Sequence, residues 1–254
     1  MPESILTLPP PPYDLRIHYG DTPQQFADVR FPATGASTPA PAVIAIHGGY
    51  WRAKYDLAYM GHFCATITKA GIVTLNLEYR RVGDPGGGWP GTFDDIRQAF
   101  DYVVTHADDL RTDPTQITVA GHSAGGQLAL CLAAHEPRVT KVVSLAGVLH
   151  LQRAWELHLS NDAVLEFLGD TPGNAPDRYR NASPVGLPIL ASEQIVVHGT
   201  KDADVPIELS RGYAATKRKR GENVRYLEVA DANHFDVIDP RSHAWHEIES
   251  LVTE

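Results

Sequence analysis

Ile117-Thr118-Val119-Ala120-Gly121-His122-Ser123-Ala124-Gly125-Gly126 sets a short apolar, partly β-branched run against the start of an apolar helical stretch, with Gly-x-Ser-x-Gly at the junction. A strand that enters a helix through so tight a turn needs small residues two positions before and two after the serine. The serine hydroxyl is then lifted to the carboxyl edge of a sheet. That geometry expects Ser123 as a nucleophile, and it expects parallel strands around it.

The flanking sequence supplies them. Ala42 to Ile46, Ile72 to Leu77, Val139 to Ala146 and Ile195 to Val197 are continuous apolar runs of the kind found in strands covered on both faces. Between them, helical spacing recurs in the segment after Thr92, where Asp95 suggests a capping pair and Phe93, Ile96, Phe100, Val103 and Val104 form one face. Gly125 to Ala134, Ile207 to Arg220 and Ser242 to Val252 read as further helices, and Val224 to Val229 as a strand. The alternation is βαβ and predicts an α/β fold with a mostly parallel central sheet and helices on both faces. Leu15 to Tyr19 and Gln25 to Phe31 read as outlying strands, and Pro32 to Pro41 as a connection. Residues 149–188 fit less well, with a helix expected around Arg153 to Leu168 and a Gly-, Pro- and Asn-rich stretch from Gly169. The expectation is one domain over residues 1–254 with 149–188 as a small cap-like insertion above the sheet; an ordinary long crossover is the alternative.

Composition narrows the function classes. The 254 residues carry 22 Lys and Arg against 31 Asp and Glu, a formal charge of −9, so the surface field repels polyanions and no nucleic-acid partner is expected. No run approaches the length of a membrane-spanning helix, and Met1 to Pro12 has neither a basic stretch nor an apolar one, so no membrane partner and a cytoplasmic setting are expected. Cys64 and Cys131 sit in apolar stretches and fit no zinc spacing, and His243 and His246 lack a His-Glu-x-x-His pattern. No Gly-Lys-Ser/Thr or dinucleotide fingerprint accompanies the glycine turns. Neither a metal nor a cofactor is therefore expected.

A serine hydroxyl is a weak nucleophile near neutral pH and needs a histidine to take its proton and an acid to fix that histidine's tautomer. His198-Gly-Thr-Lys-Asp202-Ala-Asp204-Val-Pro206 follows the strand at Ile195, and Asp202, nearer the strand end, is the expected acid, with Asp204 as the other candidate. Ala230-Asp-Ala-Asn-His234-Phe-Asp236 follows the last strand, so His234 is the expected base, in the chain order Ser, Asp, His. His122, beside the serine, is expected to pack against the sheet. The oxyanion formed on attack needs preorganised donors. The amide of Ala124, at the start of the helix, and those of Gly49 and Tyr50 in His47-Gly48-Gly49-Tyr50-Trp51 are the candidates.

With these strings in place the chain resembles the α/β-hydrolase superfamily, and within it the esterase group that includes kynurenine formamidases and acetyl and feruloyl esterases. The resemblance runs from about Leu15 to Val252 through His47-Gly-Gly-Tyr-Trp51, Gly121-His-Ser-Ala-Gly125, His198 to Pro206 and His234-Phe-Asp236. It implies the same triad, with the acid four residues before Pro206, and an aromatic pair, Tyr50 and Trp51, bordering the acyl pocket. Trp89, in the glycine-rich loop from Arg80 to Pro90, either joins that pocket or anchors its loop. The implied activity is cleavage of small or aromatic carboxylic esters, or activated amides, through an acyl-enzyme. The alternatives are arylformamidase activity on N-formylkynurenine and a non-catalytic binding protein on the same fold.

Overall fold

In the computed structural model, residues 4–33 and 39–254 are described. The elements in order are β1 (Leu15–His18), β2 (Phe26–Arg30), β3 (Ala40–Ile46), α1 (Gly61–Lys69), β4 (Val73–Leu77), α2 (Gly91–Thr105), β5 (Thr112–His122), α3 (Ala124–His135) and β6 (Lys141–Leu145). They continue as α4 (Leu151–Glu156), α5 (Ala163–Leu168), α6 (Pro176–Ala182), β7 (Glu193–Gly199), α7 (Glu208–Lys219), β8 (Val224–Val229) and α8 (Trp245–Thr253). Eight strands form one sheet in the order β1-β2-β4-β3-β5-β6-β7-β8. β1 and β2 pair antiparallel at one edge, and every pair from β4 to β8 is parallel.

The apolar runs are continuous because both faces are covered, and successive residues serve opposite cores. On β3, Ile44 and Ile46 join one core with Ile96 of α2, Leu128 of α3 and Tyr213 of α7. Val43 and Ala45 join the other with Phe63 and Ile67 of α1 and Ile248 of α8. Among the described residues no helix is long and apolar enough to cross a membrane.

Several boundaries differ from the sequence reading. The connection expected over Pro32 to Pro41 lies partly outside the described residues, and its end is already strand β3. Helix α2 begins at Gly91, so Thr92 is not its cap: the Thr92 hydroxyl donates to the Arg80 carbonyl, and Asp95 is spent on the Arg80 guanidinium. The helix expected around Arg153 to Leu168 is two helices, α4 and α5, parted where His158, Ser160, Asn161 and Asp162 all take positive φ. Helix α6 occupies a stretch that read as irregular, and α1 had no sequence expectation at all. Residues 149–188 thus contain three short helices, between β6 and β7.

Candidate active site

Ser123 stands between β5 and α3 with φ 57° and ψ −121°, a strained conformation for a residue with a Cβ. The flanking glycines explain how the turn closes: a methyl group on Gly121 would run into the Gly125 carbonyl, and one on Gly125 into the carbonyls of Ile46 and His47. Ala124 is the first residue of α3, which aims the helix's amino end at the serine.

His234 follows β8, and its Nδ1 donates to Asp202 Oδ2 at 2.7 Å. This fixes the proton on Nδ1 and leaves the Nε2 lone pair for the serine side. The Asp202 carboxylate is fully buried and saturated: Oδ2 also lies 3.1 Å from His198 Nε2, and Oδ1 accepts from the amides of Asp204 at 2.9 Å and Val205 at 2.8 Å. Burial alone would raise its pKa, but the bonds from His198 and His234 outweigh it and hold Asp202 far below the usual carboxylate range. Asp204 is exposed, and its carbonyl accepts from the Tyr50 hydroxyl at 2.6 Å.

The oxyanion-candidate loop after β3 is braced from behind. Gly48 lies so close to the nucleophile that a Cβ there would sit 2.7 Å from that of Ser123. Its amide donates to the Tyr59 hydroxyl at 2.5 Å, and the His47 carbonyl accepts from Tyr79 Oη at 2.8 Å. His47 stacks on Tyr79, with centroids 4.4 Å apart, and its Nε2 meets Glu78 Oε1 at 3.1 Å. Burial opposes ionisation of Glu78, yet the His47 and Arg81 charges keep its carboxyl below its ordinary value. Gly49 and Tyr50 both take positive φ, so the chain turns there toward the cleft.

Ser123, His234, Gly49 and Tyr50 line one cleft of about 60 Å³. Tyr55, Tyr59, His122 and Phe235 complete most of its wall. Two expected pocket residues are elsewhere. Trp51 is wholly buried, stacked on Phe167 at 4.4 Å with its Nε1 donating to Gln127 at 2.9 Å, because the positive φ at Tyr50 and Trp51 turns the ring inward. Trp89 stacks on Phe93 at 5.1 Å, and its amide donates to the Phe167 carbonyl, so it anchors its loop. Tyr55 and Tyr59 escaped the sequence reading, since no motif marks them. Phe235 carried a signal, as the neighbour of His234.

Donor atoms of Asp202, Asp204 and His234 lie within 4.8 Å of one another, close enough in principle for a metal ion. Both Asp202 oxygens and His234 Nδ1 are already engaged in mutual and backbone bonds, so the group fits a hydrogen-bonded catalytic pair better than a ligand set. Ser123 at the strand–helix turn with His234 and an aspartate beside it is a triad arrangement consistent with ester hydrolysis through an acyl-enzyme.

The BD-FAE family model matches residues 27–216. Esterase LipC of Mycobacterium tuberculosis is 30% identical over 259 residues, covering 90% of this chain and 62% of its own length, so the chain spans under two thirds of that relative. Kynurenine formamidase of Drosophila melanogaster is 25% identical over 239 residues, covering 88% of this chain and 75% of its own. A truncated carbohydrate esterase from gut microbiota superposes with a TM-score of 0.78 at 20% identity, covering 96% of this chain and all of the other, which is a likeness of fold. With three quarters of its length matched by the family model and the triad arrangement in place, the chain belongs to the BD-FAE family, within the esterases of the α/β-hydrolase superfamily.

Proposed function

We propose that the protein is a serine carboxylesterase acting on small acyl esters, with Ser123 as nucleophile, His234 as general base and acid, and Asp202 as the residue that orients His234. The observation that carries the reading is the 2.7 Å bond from His234 Nδ1 to the buried Asp202 carboxylate, in the same cleft as a strained Ser123. His234 takes the serine proton as the hydroxyl attacks the ester carbonyl. The amides of Ala124 and Gly49, with Tyr50 as a further donor, stabilise the tetrahedral oxyanion. His234 then protonates the departing alcohol, and water activated by the same histidine releases the acid. The small cleft, walled by Tyr55 and Phe235, favours short acyl groups over long chains.

The likeness to a kynurenine formamidase over most of both chains supports a second reading, N-formylkynurenine hydrolysis, because a formyl group needs almost no acyl volume. Steady-state kcat/KM for short-chain p-nitrophenyl esters and for N-formylkynurenine, with Ser123→Ala as blank, separates the two. An ester preference by orders of magnitude supports the carboxylesterase; the reverse preference assigns the formamidase. Turnover of either substrate by Ser123→Ala at the wild-type rate overturns the serine mechanism behind both readings, whereas a wild-type protein that turns over neither substrate above that blank leaves a binding protein on this fold. A cytoplasmic setting belongs to the proposal, supported by two buried, unpaired thiols, Cys64 and Cys131, and is tested by cell fractionation.

A further inference from the structure

A second cavity, of about 340 Å³, lies away from Ser123, at the antiparallel edge of the sheet beneath the Pro10–Pro12 segment. Its floor is one face of two paired strands. Asp28 of β2 stands opposite Asn76 of β4 in the register, Arg30 is opposite Thr74, and Arg16 of β1 is opposite Asp28. Side chains two apart on a strand share a face, so Arg30, Asp28, Asn76 and Glu78 point to the same side.

Two polar atoms of these side chains have no partner among the described residues: Arg30 Nη1 and Asn76 Oδ1. Arg30 is only 5% exposed and Asn76 is fully buried. The other two guanidinium nitrogens of Arg30 donate to the neutral carbonyls of Pro12 at 3.1 Å and Pro11 at 2.8 Å. A buried guanidinium bonded to carbonyls and left with a free N–H is a costly arrangement that a bound anion relieves. Asn76 Oδ1 is the complementary acceptor, its orientation set by Nδ2, which donates to the Leu57 carbonyl at 2.8 Å. Around that acceptor stand two carboxylates, Asp28, clamped by Arg16 at 2.7 and 3.0 Å, and Glu78, one oxygen of which accepts from the Leu57 amide at 3.2 Å.

The charge pattern is therefore directional, with an unsatisfied cationic donor at one end of the strand face and an unsatisfied acceptor between two carboxylates next to it. Diagonal neighbours across an antiparallel pair are separated by about 7–8 Å at the backbone, which long side chains close to the span of one small molecule. A simple anion would satisfy Arg30 but leave the Asn76 oxygen unpaired and face two carboxylates; a simple cation would do the reverse. We propose that this cavity binds the zwitterion of a small free α-amino acid, with its carboxylate on Arg30 Nη1 and its ammonium on Asn76 Oδ1 between Asp28 and Glu78. The site is independent of the ester chemistry at Ser123. It adjoins it structurally through Leu57, whose amide and carbonyl are held by Glu78 and Asn76, and through Glu78, which also meets His47.

Isothermal titration of the full chain with L-alanine, L-serine and L-leucine tests the proposal, run in parallel on the Ser123→Ala protein so that hydrolytic activity plays no part. Saturable binding to both proteins is expected, with N-acetylalanine (no ammonium) and alaninamide (no carboxylate) at least tenfold weaker. Asn76→Leu, which removes the acceptor, should weaken alanine binding at least tenfold. Should that variant not fold, Ala58→Trp fills the cavity from its wall and leaves Arg30 and Asn76 themselves unaltered; it should lose binding at least tenfold while its p-nitrophenyl acetate turnover shows the fold intact. The proposal is overturned by the absence of saturable heat with all three amino acids to tens of millimolar, by equal binding of the acetylated or amidated form, or by wild-type affinity in the Ala58→Trp protein.

Discussion

Nε2 of His122 lies 2.9 Å from the backbone oxygen of His234, tying the residue beside the nucleophile to the backbone of the residue proposed as base. The direction of every proton in this chain of bonds is forced. The Gly48 amide can only donate, so the Tyr59 oxygen accepts it and must send its own proton to His122 Nδ1, 3.1 Å away. His122 then keeps its proton on Nε2 for the His234 carbonyl. One tautomer thus links the oxyanion-candidate loop to the base loop beneath Ser123. Tyr59→Phe removes the middle of the relay and leaves the buried Gly48 amide without its acceptor, a loss of about 1–3 kcal/mol. Urea unfolding should register that loss, and kcat for p-nitrophenyl acetate should fall more than KM rises, because the loop is displaced from the transition state more than from the bound ester. Unchanged kcat in a destabilised Tyr59→Phe protein would confine the relay to stability.

The same histidine makes stability depend on pH. Burial, followed by the His234 charge, drives the His122 pKa well below 6.5. Its folded pKa is depressed relative to the unfolded one, so below about pH 6.5 the unfolded chain takes up a proton that the folded chain refuses. Folding stability then falls with decreasing pH, by up to about 1.4 kcal/mol per pH unit from this group. His122→Gln should be less stable than wild type at pH 7, because it disturbs the bonds to Tyr59 and the His234 carbonyl, and the gap between the two should narrow as pH falls from 7 to 5. The check is urea unfolding of both proteins across that range; a gap that stays constant would mean that His122 is not held neutral.

Asp202 and Asp204 are separated by one residue and differ in every relevant respect. The first has a buried carboxylate in contact with His234; the second is exposed, with its carbonyl rather than its carboxylate in use. Asp202→Asn should leave the fold intact and lower kcat by about three to four orders of magnitude, as expected when the base loses its orienting anion. Asp204→Asn should stay within a few-fold of wild type. Steady-state rates for the pair decide the assignment, and a larger loss in the second variant would transfer the role to Asp204.

What could be read from the chain and what could not divide along contact range. The Gly-x-Ser-x-Gly turn, the strand alternation and the positions of Asp202 and His234 follow from local pattern, since each sits where a strand must end. The braces behind the site do not. Tyr59 and Glu78 act across the fold on a loop that ends at Trp51, and nothing in their neighbours in sequence distinguishes them from core or surface residues. Thr92 read as a helix cap because Asp95 follows three residues on, but the Arg80 guanidinium took that carboxylate and the helix starts at Gly91, two residues before the start that a cap at Thr92 implies. The segment from Arg153 to Leu168 has helical composition on either side of Ser160-Asn161-Asp162, and those three turn-forming residues, all at positive φ, divide it, a local signal that the apolar spacing around them outweighed in the sequence reading.

The misplaced aromatic residues give the sharpest contrast between sequence resemblance and geometry. Trp51 was expected at the acyl pocket, but its ring is sealed against Phe167 and bonded to Gln127, and the next residue, Arg52, clamps Glu166 through two bonds at 2.6 and 2.9 Å. Its work is to fasten α5 to the loop that carries Gly49. Tyr55, by contrast, lines the cleft. Trp51→Phe therefore leaves a buried Gln127 oxygen unpaired and should cost about 1–3 kcal/mol of stability, while the ratio of kcat/KM for acetate, butyrate and hexanoate esters stays as in wild type. Tyr55→Ala removes a wall of the cleft and should move that ratio toward the longer acyl chains with a smaller change in unfolding midpoint. The acyl-length series measured on both variants checks the assignment: a shift in chain-length preference on Trp51→Phe, with none on Tyr55→Ala, would return Trp51 to the pocket and show that the cleft opens differently when substrate is bound.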